Sequence, residues 1–193
     1  LIVDSTNGLI NVPGGIRYDG DGACPDHEEL GHGGFGYDRG FDVLVLHQDG
    51  GAVHPTSSYA VGPGIGSGIS VIQGAGGAGD VQTIFFEELE PFIDLVPAAT
   101  HTVVATPENN AINYAEGPNS GLVNLLNPAG ATTGLVTVDN FEGYEFANKT
   151  ELIINALAGD DTINLNNPTT PTGLTTTTVH GGDPTGGSDT VIV

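Results

Sequence analysis

The sequence predicts an all-β protein, with a β-solenoid of short stacked strands as the preferred architecture and a β-sandwich as the alternative. Three observations support this. The apolar residues come in short, β-branched bursts, Gly and Pro interrupt nearly every window of ten residues, and one turn-plus-strand motif recurs. With 31 Gly and 12 Pro among 193 residues, helices of ordinary length are disfavoured throughout the chain.

The predicted strands are the apolar bursts, each bounded by Gly, Pro, Asn or Asp, as is typical of short strands separated by turns. Helical turns are expected only within residues 85–95 and 140–146, where Pro91 and Gly143 oppose anything longer. In chain order, the strands are expected at residues 1–3, 42–46, 70–72, 82–86, 101–106, 121–126, 134–138, 151–155, 161–165, 175–179 and 189–193.

The recurring motif is Gly-x-Asp-x-φ-x-φ, where φ is apolar, and it occurs at residues 40–46, 159–165 and 187–193. Gly permits a tight turn, Asp caps the turn through its side chain, and the alternating residues enter a strand. From residue 150 onward the copies are spaced about as far apart as the rungs of parallel solenoids. The spacing favours the solenoid, although Greek-key turns of a sandwich would also give short strands with Gly-rich turns.

An internal duplication is predicted within a single module that spans residues 1–193. The segment "YAVGP" at 59–63 returns as "YAEGP" at 114–118, and the same shift of 55 residues aligns 79–90 with 134–145. We therefore interpret residues 59–90 as repeated at 114–145. Residues 17–40 have no strand pattern, and they are expected to form an irregular acidic loop.

The charge balance restricts the partners of this chain. Three Lys and Arg stand against 24 Asp and Glu, which gives a formal net charge of −21. Such a surface repels nucleic acid and anionic lipid and attracts cations. No apolar run reaches the length needed to span a membrane, so membrane insertion is not expected. The composition suits a secreted protein, and we expect an extracellular or cell-surface location.

Two C-terminal stretches, "TELIINALAGDDTINLNN" (150–167) and "VHGGDPTGGSDTVIV" (179–193), carry a resemblance to a known class of repeats. They resemble modules of very large secreted or surface β-solenoid proteins of environmental bacteria. Those modules are distantly similar to the haemolysin-type (RTX) calcium repeats. The resemblance implies a β-rich stalk with a structural or adhesive role, and it makes Ca²⁺ the cofactor to consider.

Calcium is predicted at an acidic loop rather than at the Gly-Asp-Asp turn. Ala156 and Leu157 replace the leading Gly-Gly of the calcium nonapeptide repeat, so this turn is expected to keep the geometry without the metal. The N-terminal loop is a richer source of the oxygen ligands that Ca²⁺ prefers. The candidate ligands are Asp19, Asp21, Asp26, Glu28 and Glu29.

Enzymatic activity is not expected. Polysaccharide lyases need cationic side chains to stabilise an anionic substrate, and this chain has only Arg17, Arg39 and Lys149. Neither a nucleophile elbow nor a P-loop is present. One N-glycosylation sequon occurs, with Asn148 as its acceptor residue.

The first and last residues are apolar strand formers, which would leave exposed apolar edges if nothing covered them. The candidate assembly residues are Leu1, Ile2, Val3, Val191, Ile192 and Val193. Head-to-tail contacts that do not close generate filaments, so we expect a structural subunit or repeat of a fibre or surface stalk, joined to itself or to neighbouring modules.

Two other functions remain open. One is an adhesin-like or glycan-binding module of a larger surface protein, which would stack sugars on Tyr18, Phe35 and Tyr37. The other is a polysaccharide-active β-helix enzyme.

Overall fold

The computed structural model describes residues 1–20, 42–89, 91–118, 121–126, 130–183 and 186–193, and the regular secondary structure of these residues is almost entirely β-strand. The strands are β1 (Ile2–Asp4), β2 (Ile16–Asp19), β3 (Leu44–His47), β4 (His54–Val61), β5 (Gly68–Gln73), β6 (Val81–Glu87), β7 (Phe92–Asp94), β8 (Ala98–Val104), β9 (Ala111–Glu116), β10 (Gly134–Val138), β11 (Tyr144–Phe146), β12 (Lys149–Asn155), β13 (Thr162–Asn166), β14 (Thr176–His180) and β15 (Thr190–Ile192), with one short helix, α1 (Gly121–Leu126), between β9 and β10.

The strands form two mixed sheets. The eight-stranded sheet has the order β1-β3-β7-β11-β10-β9-β13-β15, and the seven-stranded sheet has the order β14-β12-β8-β4-β5-β6-β2. Neither sheet closes on itself, and the apolar core lies between them. This arrangement is that of a β-sandwich.

The prediction of a β-solenoid is wrong, and the sandwich alternative fits better. In a solenoid each strand pairs in parallel with its equivalent one turn later. Here β4, β5 and β6 pair antiparallel, and so do β9, β10 and β11. The recurring motif does produce parallel neighbours near the C-terminus, where β13 pairs with β15, but these hairpins interrupt any continuous winding.

The core between the sheets is built on a cluster of stacked aromatic rings. Tyr59 of β4 lies 5.3 Å from Phe92 and 5.5 Å from Tyr144, centroid to centroid, and these two come from the other sheet. Phe86 and Phe146 extend the cluster on either side. The rings are buried, and burial of such large apolar surfaces is the main stabilising contribution to a sandwich.

A smaller apolar cluster lies on the outer face of the eight-stranded sheet. Helix α1 covers this face, and its Val123 packs with Val45, Ile93 and Ala147. Residues 121–126 were expected to form a strand, so this expectation is wrong. A six-residue apolar run is compatible with either element, and here the run covers the outer face of a sheet.

The predicted duplication corresponds to hairpins in different sheets. Residues 59–90 contain part of β4 with β5 and β6, whereas residues 114–145 contain part of β9 with α1 and β10. A duplicated origin for the two segments stays a prediction. The expected irregular loop begins later than residue 17, because β2 extends to Asp19 and pairs with β6. Residues 21–41 lie outside the described residues.

Candidate functional site

The edge strands of the two sheets come from the same parts of the chain. The strands β1 and β2, from the start of the chain, form one edge of each sheet, and β14 and β15, from its end, form the opposite edges. Contacts tie the sheets together at the first end, since the Ser5 hydroxyl donates to Gln82 on β6 over 3.1 Å. At the second end, Ala158 forms a bridge with Asp183, between the turns that lead to β13 and β15.

The direction of these edge strands is the same within each sheet. In the eight-stranded sheet only β10 runs against the others, so β15 and β1 point the same way. In the seven-stranded sheet only β5 is reversed, so β14 and β2 also share a direction. A second copy stacked head to tail on the first would therefore meet both edges with parallel strands.

At the C-terminal edge, strand β15 is exposed over its whole length. The Thr190 N–H donates inward to the Asp161 carbonyl over 2.8 Å. Because N–H groups alternate sides along a strand, the Val191 N–H points away from β13 toward the open edge. Val191 pairs with buried Ile163 and so lies on its core-facing side of the sheet, yet it is 48% exposed.

At the N-terminal edge, strand β1 presents the complementary arrangement. Val3 faces the core and is buried beside Leu46, its partner on β3. The Val45 N–H donates to the Leu1 carbonyl, so the N–H and carbonyl of Ile2 point to the open edge. Placing Val191 of one copy beside Val3 of the next would continue the core-facing apolar row.

The seven-stranded sheet repeats this pattern. On β14, Thr177 and Val179 pair with buried Leu152 and Ile154 and share their core-facing side. On β2, Ile16 and Tyr18 are half-buried and pack against the main core. The outer face of β14 carries polar residues, and the Thr178 hydroxyl donates to Glu151 over 2.9 Å. Both sheets thus end in edges with an apolar inner side.

The aspartates of the Gly-Asp-Asp turn accept hydrogen bonds from the backbone of neighbouring turns. Oδ1 of Asp160 accepts the N–H groups of Gly186 and Gly187 over 3.1 and 2.8 Å. Oδ1 of Asp161 accepts the Asn110 N–H over 2.8 Å, and Oδ1 of Asp189 accepts the Asp161 N–H over 3.1 Å. These carboxylates fix the register at the starts of β9, β13 and β15, so the Gly-Asp-Asp turn is held in place without the leading Gly-Gly pair of the calcium repeat.

Burial and neighbouring carboxylates disfavour ionisation of Asp161. Its side chain is 1% exposed, and its Oδ2 has no hydrogen-bond partner among the described residues. Burial raises the pKa of Asp161 above its ordinary value, and the charges of Asp189, Asp139 and Asp160 add to this, while the bond from the Asn110 N–H lowers it.

The predicted calcium ligands fall mostly outside the described residues. Asp19 is exposed at the end of β2, whereas Asp21, Asp26, Glu28 and Glu29 are not described. Elsewhere in the described chain, no group of three or more His, Cys, Asp or Glu side chains is placed to hold a metal ion. Calcium at residues 19–29 stays a prediction.

The predicted glycosylation residue, Asn148, is half-buried. Its side-chain amide donates to the Leu95 carbonyl over 2.9 Å, and its backbone lies in the left-handed region with φ 62°. This bond ties β7 to the start of β12, so the amide nitrogen that would carry a glycan already has a structural role.

The cationic and aromatic candidates are also engaged. Lys149 is fully buried, and the Arg17 guanidinium lies 4.7 Å from the centroid of the Phe85 ring. Tyr18 packs against the core, while Arg39, Phe35 and Tyr37 lie outside the described residues. No helix within the described ranges is long and apolar enough to cross a membrane.

Comparison with known proteins gives no relative. No family model matches the chain, and no curated protein and no solved structure matches it. The function must therefore be argued from the sheet edges and the core.

Proposed function

We propose that this chain is a structural module that stacks head to tail with like modules into an extracellular fibre or surface stalk. One observation carries the proposal: within the described residues, no further strand pairs with the edges of either sheet, and the strands at the two ends of the module run in the same direction. A translated copy would extend both sheets at once, β15 against β1 in the eight-stranded seam and β14 against β2 in the seven-stranded seam.

The side chains at the edges also support a second copy of this module as the partner. Val191 and Ile192 are 48% and 49% exposed, and Leu1 and Ile2 at the opposite edge are 46% and 51% exposed. Exposed apolar edge strands are a liability that proteins normally cover. Forming two seams at once strengthens the association, because the second seam closes without a further loss of translational freedom.

The translation geometry explains why the product would be open-ended. The contact is heterologous, since the β15 surface differs from the β1 surface, and pure translation never closes a ring. The large negative charge keeps the sides of such a fibre apart and discourages lateral aggregation. An acidic fibre of this kind suits the outside of a cell.

Electron microscopy of the purified chain over a range of concentrations, with and without EDTA, tests this proposal. Filaments that survive EDTA support assembly through strand pairing. Filaments that dissolve in EDTA add calcium to the assembly and point to residues 19–29. A monomer at every concentration opposes self-assembly and favours either contact with different modules or the binding-module alternative.

A further inference from the structure

The only lysine of the chain is buried in the core. Lys149 is 0% exposed, and its Nζ lies 2.9 Å from Oδ1 of Asp94, which is also 0% exposed. Nζ also donates to the Val96 carbonyl. Lys149 is the first residue of β12 in one sheet and Asp94 is the last residue of β7 in the other, so the contact spans the sandwich.

The carboxyl group of Asp94 is held from both sides. Its Oδ1 accepts the Val96 N–H over 3.0 Å, and its Oδ2 accepts the Tyr144 hydroxyl over 3.1 Å. Nδ1 of His101 lies 3.2 Å from that hydroxyl oxygen, and Nε2 of His101 has no partner among the described residues. Nδ1 of His101 also lies 2.7 Å from the Ser57 hydroxyl, which can donate to it or accept from it, so the Tyr144 proton is free for Asp94 with either tautomer.

Aromatic rings exclude water from this site. The His101 imidazole stacks on Tyr144 at 4.5 Å between centroids, and Tyr144 stacks in turn on Phe146 at 5.4 Å. Phe92 lies 5.3 Å from Tyr144 on another side. The amine and the carboxyl group therefore meet in a dry, rigid site where their orientation is fixed by strands and by hydrogen bonds.

We propose that Lys149 and Asp94 condense spontaneously after folding into an intramolecular isopeptide bond between Nζ and Cγ, with loss of one water molecule. Cγ lies one C–O bond beyond the oxygen that Nζ already contacts at 2.9 Å. Holding the two groups in contact has the same effect as a very high concentration of one reactant around the other.

The step balances within the pair. The ammonium proton of Lys149 passes to the carboxylate, which gives a neutral amine and a neutral acid. The Nζ lone pair then forms a bond to Cγ, the Cγ–Oδ1 bond breaks, and Oδ1 leaves as water with a proton taken from Nζ. Oδ2 remains as the amide oxygen and keeps the hydrogen bond from Tyr144, which polarises the carbonyl during the attack.

The surroundings favour the neutral amine of Lys149 and the amide product. Burial lowers the pKa of Lys149 below its ordinary value, although the Asp94 charge opposes this. Two charges in an apolar core carry a desolvation penalty, which the amide removes. The amide N–H keeps the Val96 carbonyl as its acceptor, and the amide oxygen keeps the Tyr144 donor, whereas the Val96 N–H loses Oδ1 as its acceptor when that oxygen leaves.

The bond would act as a covalent tie between the two sheets. It joins positions 94 and 149 and closes a loop that includes α1 and β8 to β11. Such a tie resists separation of the sheets under tension, which suits a module of a fibre. The inference does not depend on stacking, since the bond lies within one chain and its formation is measured without filaments.

Trypsin offers a direct test because the chain has only Arg17, Arg39 and Lys149 as cleavage positions. The intact mass of the purified wild-type chain is measured by mass spectrometry, and the chain is then denatured and digested with trypsin. We expect an intact mass one water below that of the sequence, and a single fragment of residues 40–193 in place of separate 40–149 and 150–193 fragments. Fragmentation should place the link between positions 94 and 149.

The matched control is Lys149→Arg, which retains a buried cation but has no nucleophilic amine. Its chain should have the full mass and should be cut at position 149. A wild-type chain of full mass that is cut after Lys149 overturns the proposal. So does a water deficit in a chain that is still cut there, because the loss would then lie elsewhere, for example at a succinimide. The wild-type readout decides even if the variant does not fold.

Discussion

If β15 of one copy pairs with β1 of the next, the variant Val191→Lys should raise the critical concentration for assembly. Fully burying a valine side chain stabilises by about 1.5–3 kcal/mol, and Val191 is 48% exposed, so stacking would gain about 1 kcal/mol from this side chain. Holding an ammonium group against the apolar inner row adds about 2 kcal/mol of unfavourable desolvation. A loss of about 3 kcal/mol raises the critical concentration for assembly about a hundredfold.

Sedimentation of filaments over a concentration series measures this change. The folded monomer should tolerate the variant, because a lysine at an exposed edge extends its amine into water, and chemical denaturation at low concentration checks this. The control is Leu125→Lys on α1, where the side chain is 73% exposed and belongs to none of the four edge strands. Equal critical concentrations for wild type and Val191→Lys would refute the seam, and so would an equal loss in Leu125→Lys.

Three further predictions concern stability, each measured by denaturation. Asp161→Asn should raise the free energy of unfolding at pH 7, because the pKa of Asp161 is raised in the folded state and its ionised form is therefore disfavoured there. This gain in stability should vanish as the pH falls toward 3.8, the ordinary pKa of an aspartate. A loss of stability at pH 7 would contradict the prediction. Burial holds the pKa of His101 well below its ordinary value of 6.5, so acid favours the unfolded state, and stability should fall by about 1 kcal/mol per such histidine between about pH 6.5 and 5.5; His101→Gln should flatten this slope, and an unchanged slope would refute the assignment. Ile154→Ala should cost about 2–5 kcal/mol because Ile154 is fully buried between the sheets, whereas a cost below about 1 kcal/mol would mean that the site collapses or is loosely packed.

The candidate functional residues were only partly predictable from sequence. The apolar edges were visible as "LIV" and "VIV", because short β-branched runs are legible without tertiary information. The pairing of Lys149 with Asp94 was not, since the two residues are distant in the chain and no motif links them. The only signal is a single lysine beside an apolar strand in a chain with few cations, and this lysine also lies within the sequon of Asn148.

The sequence alone determined much of the local structure of this protein, although not the helix at residues 121–126. Glycines at turns and alternating β-branched residues define strands such as "GLVTV", which folds as β10 over the predicted residues 134–138. Turn chemistry acts over a few residues, so it can be deduced from the chain directly.

The tertiary structure decided how the strands are ordered, and therefore whether they form a solenoid or a sandwich. Parallel and antiparallel neighbours share the same side-chain alternation, so no pattern in the sequence distinguishes β5 from a solenoid rung. Its antiparallel pairing with β4 and β6 depends on which strands have a free edge beside it and on how the rings of Tyr59 and Phe86 pack between the sheets. The direction of the edge strands follows from the same pairings, because each sheet contains one reversed strand, β10 or β5.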